Sequence, residues 1–292
     1  MQIRPRRSVL YMPGANVRAL EKAKTLAADG LILDLEDAVA PEAKETARRQ
    51  VCDAVKAGGY GKRELIIRIN GLDTPWGAAD LAAAAAVGPD AILIPKPSTG
   101  ADIVRATEAM ASAGAPDKTR LWAMIETPLA ILNAGEIGAV ARTKGARLTC
   151  FVMGTNDLVK ETRADLSSNR RPALYWLSAA ITAARAYGLD VLDGVYNNFK
   201  DIDGYRRECV HGRALGFDGK TLIHPDQIAA ANEVFAPAAD DVAWAKKVIA
   251  AFDLPESRGK GVITVEGRMV ELLHAETARR TVAIAEAIGG GT

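Results

Sequence analysis

The chain has 292 residues, 49% of them hydrophobic and 25% charged, a balance that excludes bulk disorder. Its 37 Lys and Arg stand against 36 Asp and Glu, a net charge of +1, so nothing global draws it to nucleic acid or to an anionic membrane. The length fits one or two domains, and α/β barrels of about 250 residues form a single one.

Cys52, Cys150 and Cys209 are odd in number and far apart, with no metal-ligand spacing. They make no disulfide framework, and reduced thiols in a cytoplasm are expected. The N-terminal MQIRPRRSVLYMPG starts basic, but its short apolar run breaks at Pro13 and Gly14, unlike a signal peptide. No stretch reaches about 18 apolar residues, so no membrane span is expected.

In chain order, the basic group Arg4, Arg6 and Arg7 reads as a solvated approach to the first strand, one that would suit a phosphate. Apolar runs at residues 8–12, 31–35, 65–69, 91–95, 121–125, 148–153, 190–195 and 219–223 then alternate with amphipathic stretches at 18–28, 41–55, 76–86, 101–113, 128–140, 172–187, 204–215 and 225–235. The runs are continuously apolar rather than alternating, as in strands covered on both faces by crossover helices. Eight βα units predict the α/β class and a closed (β/α)8 TIM barrel over residues 1–236. The segment after the first run, Met-Pro-Gly-Ala-Asn-Val, is no dinucleotide fingerprint. Gly61-Lys62 and Gly219-Lys220 lack the upstream glycine of a phosphate-binding loop. Residues 237–292 predict a C-terminal helical extension or lid: a helix at 239–252, the linker LPESRGKG, a short strand at 262–265 and a helix at 269–287. The terminal run Gly289-Gly290-Gly291-Thr292 is expected to fray.

A barrel of this kind carries its chemistry where the strands end. Those ends read Asp34-Leu35-Glu36-Asp37, Arg68-Ile69-Asn70, Pro95-Lys96, Glu126-Thr127, Gly154-Thr155-Asn156-Asp157 and His224. Crowded carboxylates repel and call for a cation. Glu126 and Asp157, on adjacent strands, can give two oxygen ligands to Mg²⁺; the alternative is an ion pair of Glu126 with Lys96 or Arg68. Arg68 offers a planar fork for a carboxylate or a polarised carbonyl, or for pairing with Glu36 or Asp37. His224 is as well explained by a structural hydrogen bond as by proton transfer, and His211 and His274 lie on helices. Tyr11 and Trp122 sit within strands, where core is the plainer reading.

RSVLYMPG, LDLEDAV, RIN, PK, IET, GTNDL and TLIHP on successive strands, with GKGVITVEGRM in the tail, resemble the citrate lyase β-subunit-like branch of the HpcH/HpaI aldolase family, which includes malyl-CoA and citramalyl-CoA lyases. The resemblance implies a barrel that assembles as a homotrimer or hexamer. It implies a carbon–carbon lyase that uses Mg²⁺, or Mn²⁺, to cleave or form a 3-hydroxyacyl-CoA such as malyl-, citramalyl- or citryl-CoA, giving acetyl-CoA or another acyl-CoA and a 2-oxo acid. Glu126 and Asp157 match the metal ligands, Arg68 the arginine on the oxo-acid oxygens, and Glu36 and Asp37 the acidic pair beside the metal. The backbone of Met153, Gly154 and Thr155 matches the substrate-carboxylate site, and Tyr11 and Lys22 match positions that contact coenzyme A. In relatives with lyase chemistry the tail reads G-x-M-I/V-D, and its Asp, offered by a neighbouring subunit, moves a proton; here Glu271 stands in that place. Three rivals share parts of this pattern: an acyl-CoA thioester hydrolase, an aldolase for free 2-oxo acids, and a non-catalytic acyl-CoA-binding subunit.

Overall fold

Runs of four to six apolar residues are too short for stable helices but long enough to pair as strands. The computed structural model describes residues 3–167 and 169–290. Its contacts divide them into two compact units, Arg6–Val234 and the described residues of Met1–Pro5 with Phe235–Thr292. In the larger unit β1 (Ser8–Pro13), β2 (Gly30–Asp34), β3 (Glu64–Arg68), β4 (Ala91–Ile94), β5 (Arg120–Ile125), β6 (Leu148–Met153), β7 (Asp190–Asp193) and β8 (Gly219–Leu222) form a closed barrel. Every pairing is parallel, and β8 returns to β1 with Ser8 opposite Lys220 and Leu10 opposite Leu222. The chain therefore has the (β/α)8 TIM-barrel fold.

The first four strands lead into α1 (Val17–Ala23), α2 (Lys44–Ala57), α3 (Gly77–Val87) and α4 (Gly100–Ser112). α5 (Pro128–Leu132) and α6 (Ala134–Ala139) follow β5, and α7 (Thr155–Thr162) and α8 (Leu174–Tyr187) follow β6. α9 (Ile202–Leu215) follows β7, and α10 (Ile228–Phe235) follows β8. Pro41, Pro128, Pro172 and Pro225 all open helical turns, where a fixed φ and a missing N–H cost nothing. Thr99 and Asp102 close a capping box on α4.

The barrel interior is filled by Val9, Ile32, Ile66, Leu93, Trp122, Cys150, Val152 and Leu192, all inaccessible to solvent. Each such aliphatic side chain contributes about 1.5–3 kcal/mol by burial. Arg6 lies below this layer, its guanidinium 4.9 Å from the Trp122 ring centre, with two 2.7 Å bonds to Glu64 and a further bond to Asp190. Arg7 makes a bidentate pair with Asp29 at 2.7 and 2.8 Å. The expected solvated basic approach is thus corrected: Arg6 and Arg7 are committed to ion pairs. The three cysteines are buried and reduced, and no helix among the described residues is long and apolar enough to cross a membrane.

Three elements differ from expectation. The helix expected over 128–140 divides at Asn133, whose side-chain amide donates to the Ser98 carbonyl (2.9 Å) and holds its backbone off helical geometry. The segment after β6 turns into α7, with Asp157 in the first turn. The final helix begins at Leu272, not at 269. Arg268–Glu271 is instead β10, antiparallel to β9 (Val262–Val265), because Glu266 and Gly267 both take positive φ, 47° and 77°, and so make a two-residue hairpin turn. α11 (Ala239–Asp253), this hairpin and α12 (Leu272–Gly289) share a small core of Val248, Phe252, Val265, Val270, Ala275 and Ala278. The tail is a mixed unit with its own apolar centre rather than a purely helical extension. α12 keeps its helical bonds as far as Gly289, so the expected fraying does not begin there; Gly291 and Thr292 lie outside the described residues.

Candidate active site

β2 and β3 pair in register so that Asp34 lies opposite Arg68, each the last residue of its strand. Both oxygens of Asp34 accept from Arg68, from Nε and Nη2, at 2.6 Å each. Arg68 Nη1 lies 2.8 Å from Glu36 Oε2 and 3.1 Å from Asp37 Oδ2. The Glu36 contact is a charge contact only, since that oxygen receives no aligned N–H. The Arg68 guanidinium also lies 4.9 Å from the ring centre of Tyr11. Burial works against its charge, but Asp34 foremost holds it firmly ionised.

Asp34 is the residue the sequence reading missed. It stands in the quoted acidic run, but the pairing of Arg68 was assigned to Glu36 or Asp37. The signal was available: two strand-terminal residues of opposite charge on neighbouring strands meet at the same level of a barrel.

Glu126, following β5, is inaccessible to solvent. Its Oε1 accepts from the Lys96 backbone N–H at 2.8 Å, while Oε2 is buried without a hydrogen-bond partner. Burial first, and then the charges of Glu36 and Asp157, push its carboxyl up to about 8, against the pull of Lys96. Burial also raises Glu36, against the opposing pull of Arg68. The Lys96 ammonium lies 3.2 Å from Glu36 Oε1 and 3.7 Å from Asp157 Oδ1. The ion pair of Glu126 with Lys96 or Arg68, foreseen as the alternative to a metal site, is not formed: Lys96 meets Glu126 through its backbone N–H, and its side chain turns to the other two carboxylates.

The two strand ends at β5 and β6 approach closely because residue 154 is glycine. A Cβ there would lie 2.3 Å from Glu126 Cβ and 2.6 Å from Oε2. Gly154 precedes the first turn of α7, whose opening N–H groups have no partner within the helix and carry its partial positive charge. A cavity of about 280 Å³ is lined by Met153, Gly154, Thr155, Asn156 and Asp157 on this side. Tyr11, Asp34, Asp37 and Arg68 line it on the other, with Val195 and Ile223 as apolar wall. Such a helix start opposite an arginine can hold a dianionic ligand at both ends.

Of the residues expected at the site, Arg68, Glu36, Asp37, Glu126, Asp157, Met153, Gly154 and Thr155 come together on this rim. Tyr11, expected in the core or on coenzyme A, lies beneath Arg68 and lines the cavity. Lys22 is exposed in the last turn of α1 and does not line it. Glu271 ends β10 in the smaller unit, where its N–H donates to His274 Nδ1 at 2.9 Å. His224 caps the turn at Pro225 and stacks on Phe199, with ring centres 4.6 Å apart, the structural role.

The rim fits a small divalent cation in its chemistry. The donors are hard carboxylate oxygens, one of them buried and orphaned, with more negative charge than Arg68 and Lys96 balance. Among the described residues no three of His, Cys, Asp and Glu are gathered into a ready cage. That suits Mg²⁺, which takes one or two carboxylates and completes its shell with water and substrate.

The model of the HpcH/HpaI aldolase/citrate lyase family matches residues 7–225. A (3S)-malyl-CoA thioesterase from Cereibacter sphaeroides (strain ATCC 17025 / ATH 2.4.3) is 50% identical over 287 residues, spanning 98% of this chain and 97% of its own. The citrate lyase subunit beta of Escherichia coli (strain K12) is 35% identical over 291 residues, 98% of this chain and 95% of its own. The crystal structure of protein CitE from Mycobacterium tuberculosis in complex with magnesium, acetoacetate and coenzyme A superposes with a TM-score of 0.75 at 28% identity, covering 98% of this chain and all of that one. With the barrel, the rim and these relatives in agreement, the chain belongs to the HpcH/HpaI aldolase/citrate lyase family.

Proposed function

We propose that this chain is a Mg²⁺-dependent enzyme that binds a malyl-type 3-hydroxyacyl-CoA at the carboxyl rim of its barrel and hydrolyses the thioester, releasing the hydroxy diacid and coenzyme A. One observation carries the reading: the buried, half-partnered Glu126, bound by the Lys96 N–H while the Lys96 ammonium reaches Asp157, beside an arginine that Asp34 fixes in place. Glu126 and Asp157 hold the metal, and Mn²⁺ suits the same hard oxygens. The bound metal supplies positive charge that polarises substrate oxygen atoms.

The chain's own residues do the rest. Arg68, pre-oriented by Asp34 and lining the cavity, takes the oxygens at one end of the acyl group. The N–H groups at the start of α7, from Thr155 onward, take a carboxylate at the other. Asp37 is 61% exposed, lines the cavity and touches Arg68, which makes it the base that can reach water. It accepts a proton as the water oxygen bonds to the thioester carbon; the C–S bond breaks, and the proton passes to the leaving thiolate. Tyr11 holds the lower face of Arg68. Glu36 contacts both Lys96 and Arg68 and links the two cations.

Thioester hydrolysis is favoured by the malyl-CoA thioesterase at 50% identity and by Glu271 standing where the lyase pattern has Asp. The second reading, Claisen-type cleavage to acetyl-CoA and a 2-oxo acid, is favoured by the oxo-acid-sized cavity and the citrate lyase relatives. In that reaction Asp37 takes the hydroxyl proton, the C–C bond breaks, and Glu271 of a neighbouring subunit in a trimer or hexamer protonates the enolate carbon. Incubating the purified chain with (3S)-malyl-CoA and Mg²⁺, with products identified by mass spectrometry, separates the two. Malate and free coenzyme A are expected; acetyl-CoA with glyoxylate establishes the second reading. No turnover of malyl-, citramalyl- or citryl-CoA overturns both.

A further inference from the structure

Lys96 touches all three carboxylates around the proposed metal-binding position. Its N–H donates to Glu126 Oε1, and its ammonium lies between Glu36 and Asp157. It is also one of three non-glycine residues in the chain's described part with positive φ, at 52°. A backbone conformation disfavoured for a side-chain-bearing residue persists only where its surroundings enforce it, and such positions gather at functional sites.

The charges explain why a lysine is held there. Asp34, Glu36, Asp37, Glu126 and Asp157 crowd one rim, and both oxygens of Asp34 are already bound to Arg68. Glu36 divides its oxygens between Arg68, 2.8 Å from Oε2, and the Lys96 ammonium, which also serves Asp157. That ammonium is a loose bridge. Its distances of 3.2 and 3.7 Å exceed the roughly 2.7–2.9 Å of a tight charge-assisted bond, and its side chain is 43% exposed, with room to swing into solvent.

We propose that Lys96 is the resident counter-cation of the metal-free rim, and that a divalent cation binds by displacing its ammonium from between Glu36 and Asp157. Lys96 thereby sets the metal affinity of the site. The strained backbone gives the arrangement two independent parts. The N–H stays on Glu126 and fixes its rotamer whether or not the ammonium is in place, so a ligand to the incoming ion is oriented before the ion arrives. This inference rests on the assignment of Glu126 and Asp157 as metal ligands, and the experiment separates the two.

Chelator-stripped wild type, Lys96→Met, Lys96→Gln, Lys96→Arg and Glu126→Gln are titrated with Mg²⁺ and with Mn²⁺ by calorimetry, and each is melted in chelator. Wild type binds and Glu126→Gln does not. Lys96→Met and Lys96→Gln bind at least about tenfold more tightly than wild type, the scale of losing two partly exposed ion pairs, and melt lower in chelator because the carboxylates lose their cation. Lys96→Arg, which keeps the charge, stays within about threefold of wild type. Binding by wild type with an unchanged or weaker constant in both neutral variants overturns the displacement and leaves the metal assignment standing. Equal binding by Glu126→Gln and wild type overturns the assignment, and no binding by any form overturns both.

Discussion

Replacing Gly154 by alanine tests the contact on which the rim is built. The new Cβ would lie 2.3 Å from Glu126 Cβ, 2.6 Å from Glu126 Oε2 and 3.2 Å from Met124 Cε. The methionine end can give way, but the Glu126 Cβ is fixed to the backbone. Reaching ordinary contact at 3.4 Å requires the ends of β5 and β6 to part by about 1.1 Å. The Gly154 N–H donates to the Ile125 carbonyl at 3.1 Å, so the same movement breaks a backbone hydrogen bond. Overpacking costs about 1–3 kcal/mol and the lost bond about 1 kcal/mol. Together they lower the melting temperature by roughly 5–10 °C in a unit of this size. Displacing Glu126 by about 1 Å costs about 100-fold in kcat/KM on malyl-CoA. Gly135→Ala in α6 is the control, because a Cβ there meets nothing within 4 Å; it is expected to be neutral or to stabilise slightly. Thermal melts and steady-state kinetics of the two variants decide. If Gly154→Ala melts with the control and keeps kcat/KM within about threefold, the packing of Gly154 on Glu126 does not position the site.

Two further predictions concern charge. In chelator, folded protein keeps a proton on Glu126 between the ordinary 4.5 and about 8, which the unfolded chain has released; stability therefore falls as pH rises through that window, by on the order of a few kcal/mol. Glu126→Gln removes the slope and raises the melting temperature at pH 8, and a wild-type melting temperature flat across the window refutes the buried, protonated carboxyl. The second is Asp193→Asn. Asp193 is inaccessible and binds Arg170 at 2.6 and 2.9 Å and Lys220 at 3.2 Å. Burial alone would raise its carboxyl, but Lys220 and Arg170 outweigh that and lower it, so its stabilisation is present at neutral pH and lost only as pH falls through the lowered value. Arg170 and Lys220 keep Glu208, at 3.7 and 2.7 Å, but lose their buried partner, at a cost of about 3 kcal/mol, and an unchanged denaturation midpoint at pH 7 would falsify the pairing.

The barrel was legible in the sequence because its cause is local. Runs such as LIL at 31–33 and CFVM at 150–153 are apolar without alternation, as in strands covered on both faces. The rim was legible for the same reason, since polar residues at the ends of those runs must lie at one end of the barrel. Even the resemblance to a family rests on these short strings in order. Boundaries were less secure where one residue's partner lies elsewhere, as when Asn133 reaches Ser98 and splits a helix, or where two residues adopt positive φ and turn an expected helix into β10.

What tertiary structure alone decided was the pairing of charges within the rim. Asp34 rather than Glu36 or Asp37 takes both ends of the Arg68 fork, a contact across 34 residues fixed by strand register. Lys96 bends into positive φ to serve Glu126 across 30 residues, and Arg6 crosses the base of the barrel to Glu64 and Asp190 rather than facing solvent. The sequence places a carboxyl at position 126. Its burial, its orphaned oxygen and its raised pKa depend on neighbours brought in by other strands, because desolvation and Coulomb forces act through space and not along the chain.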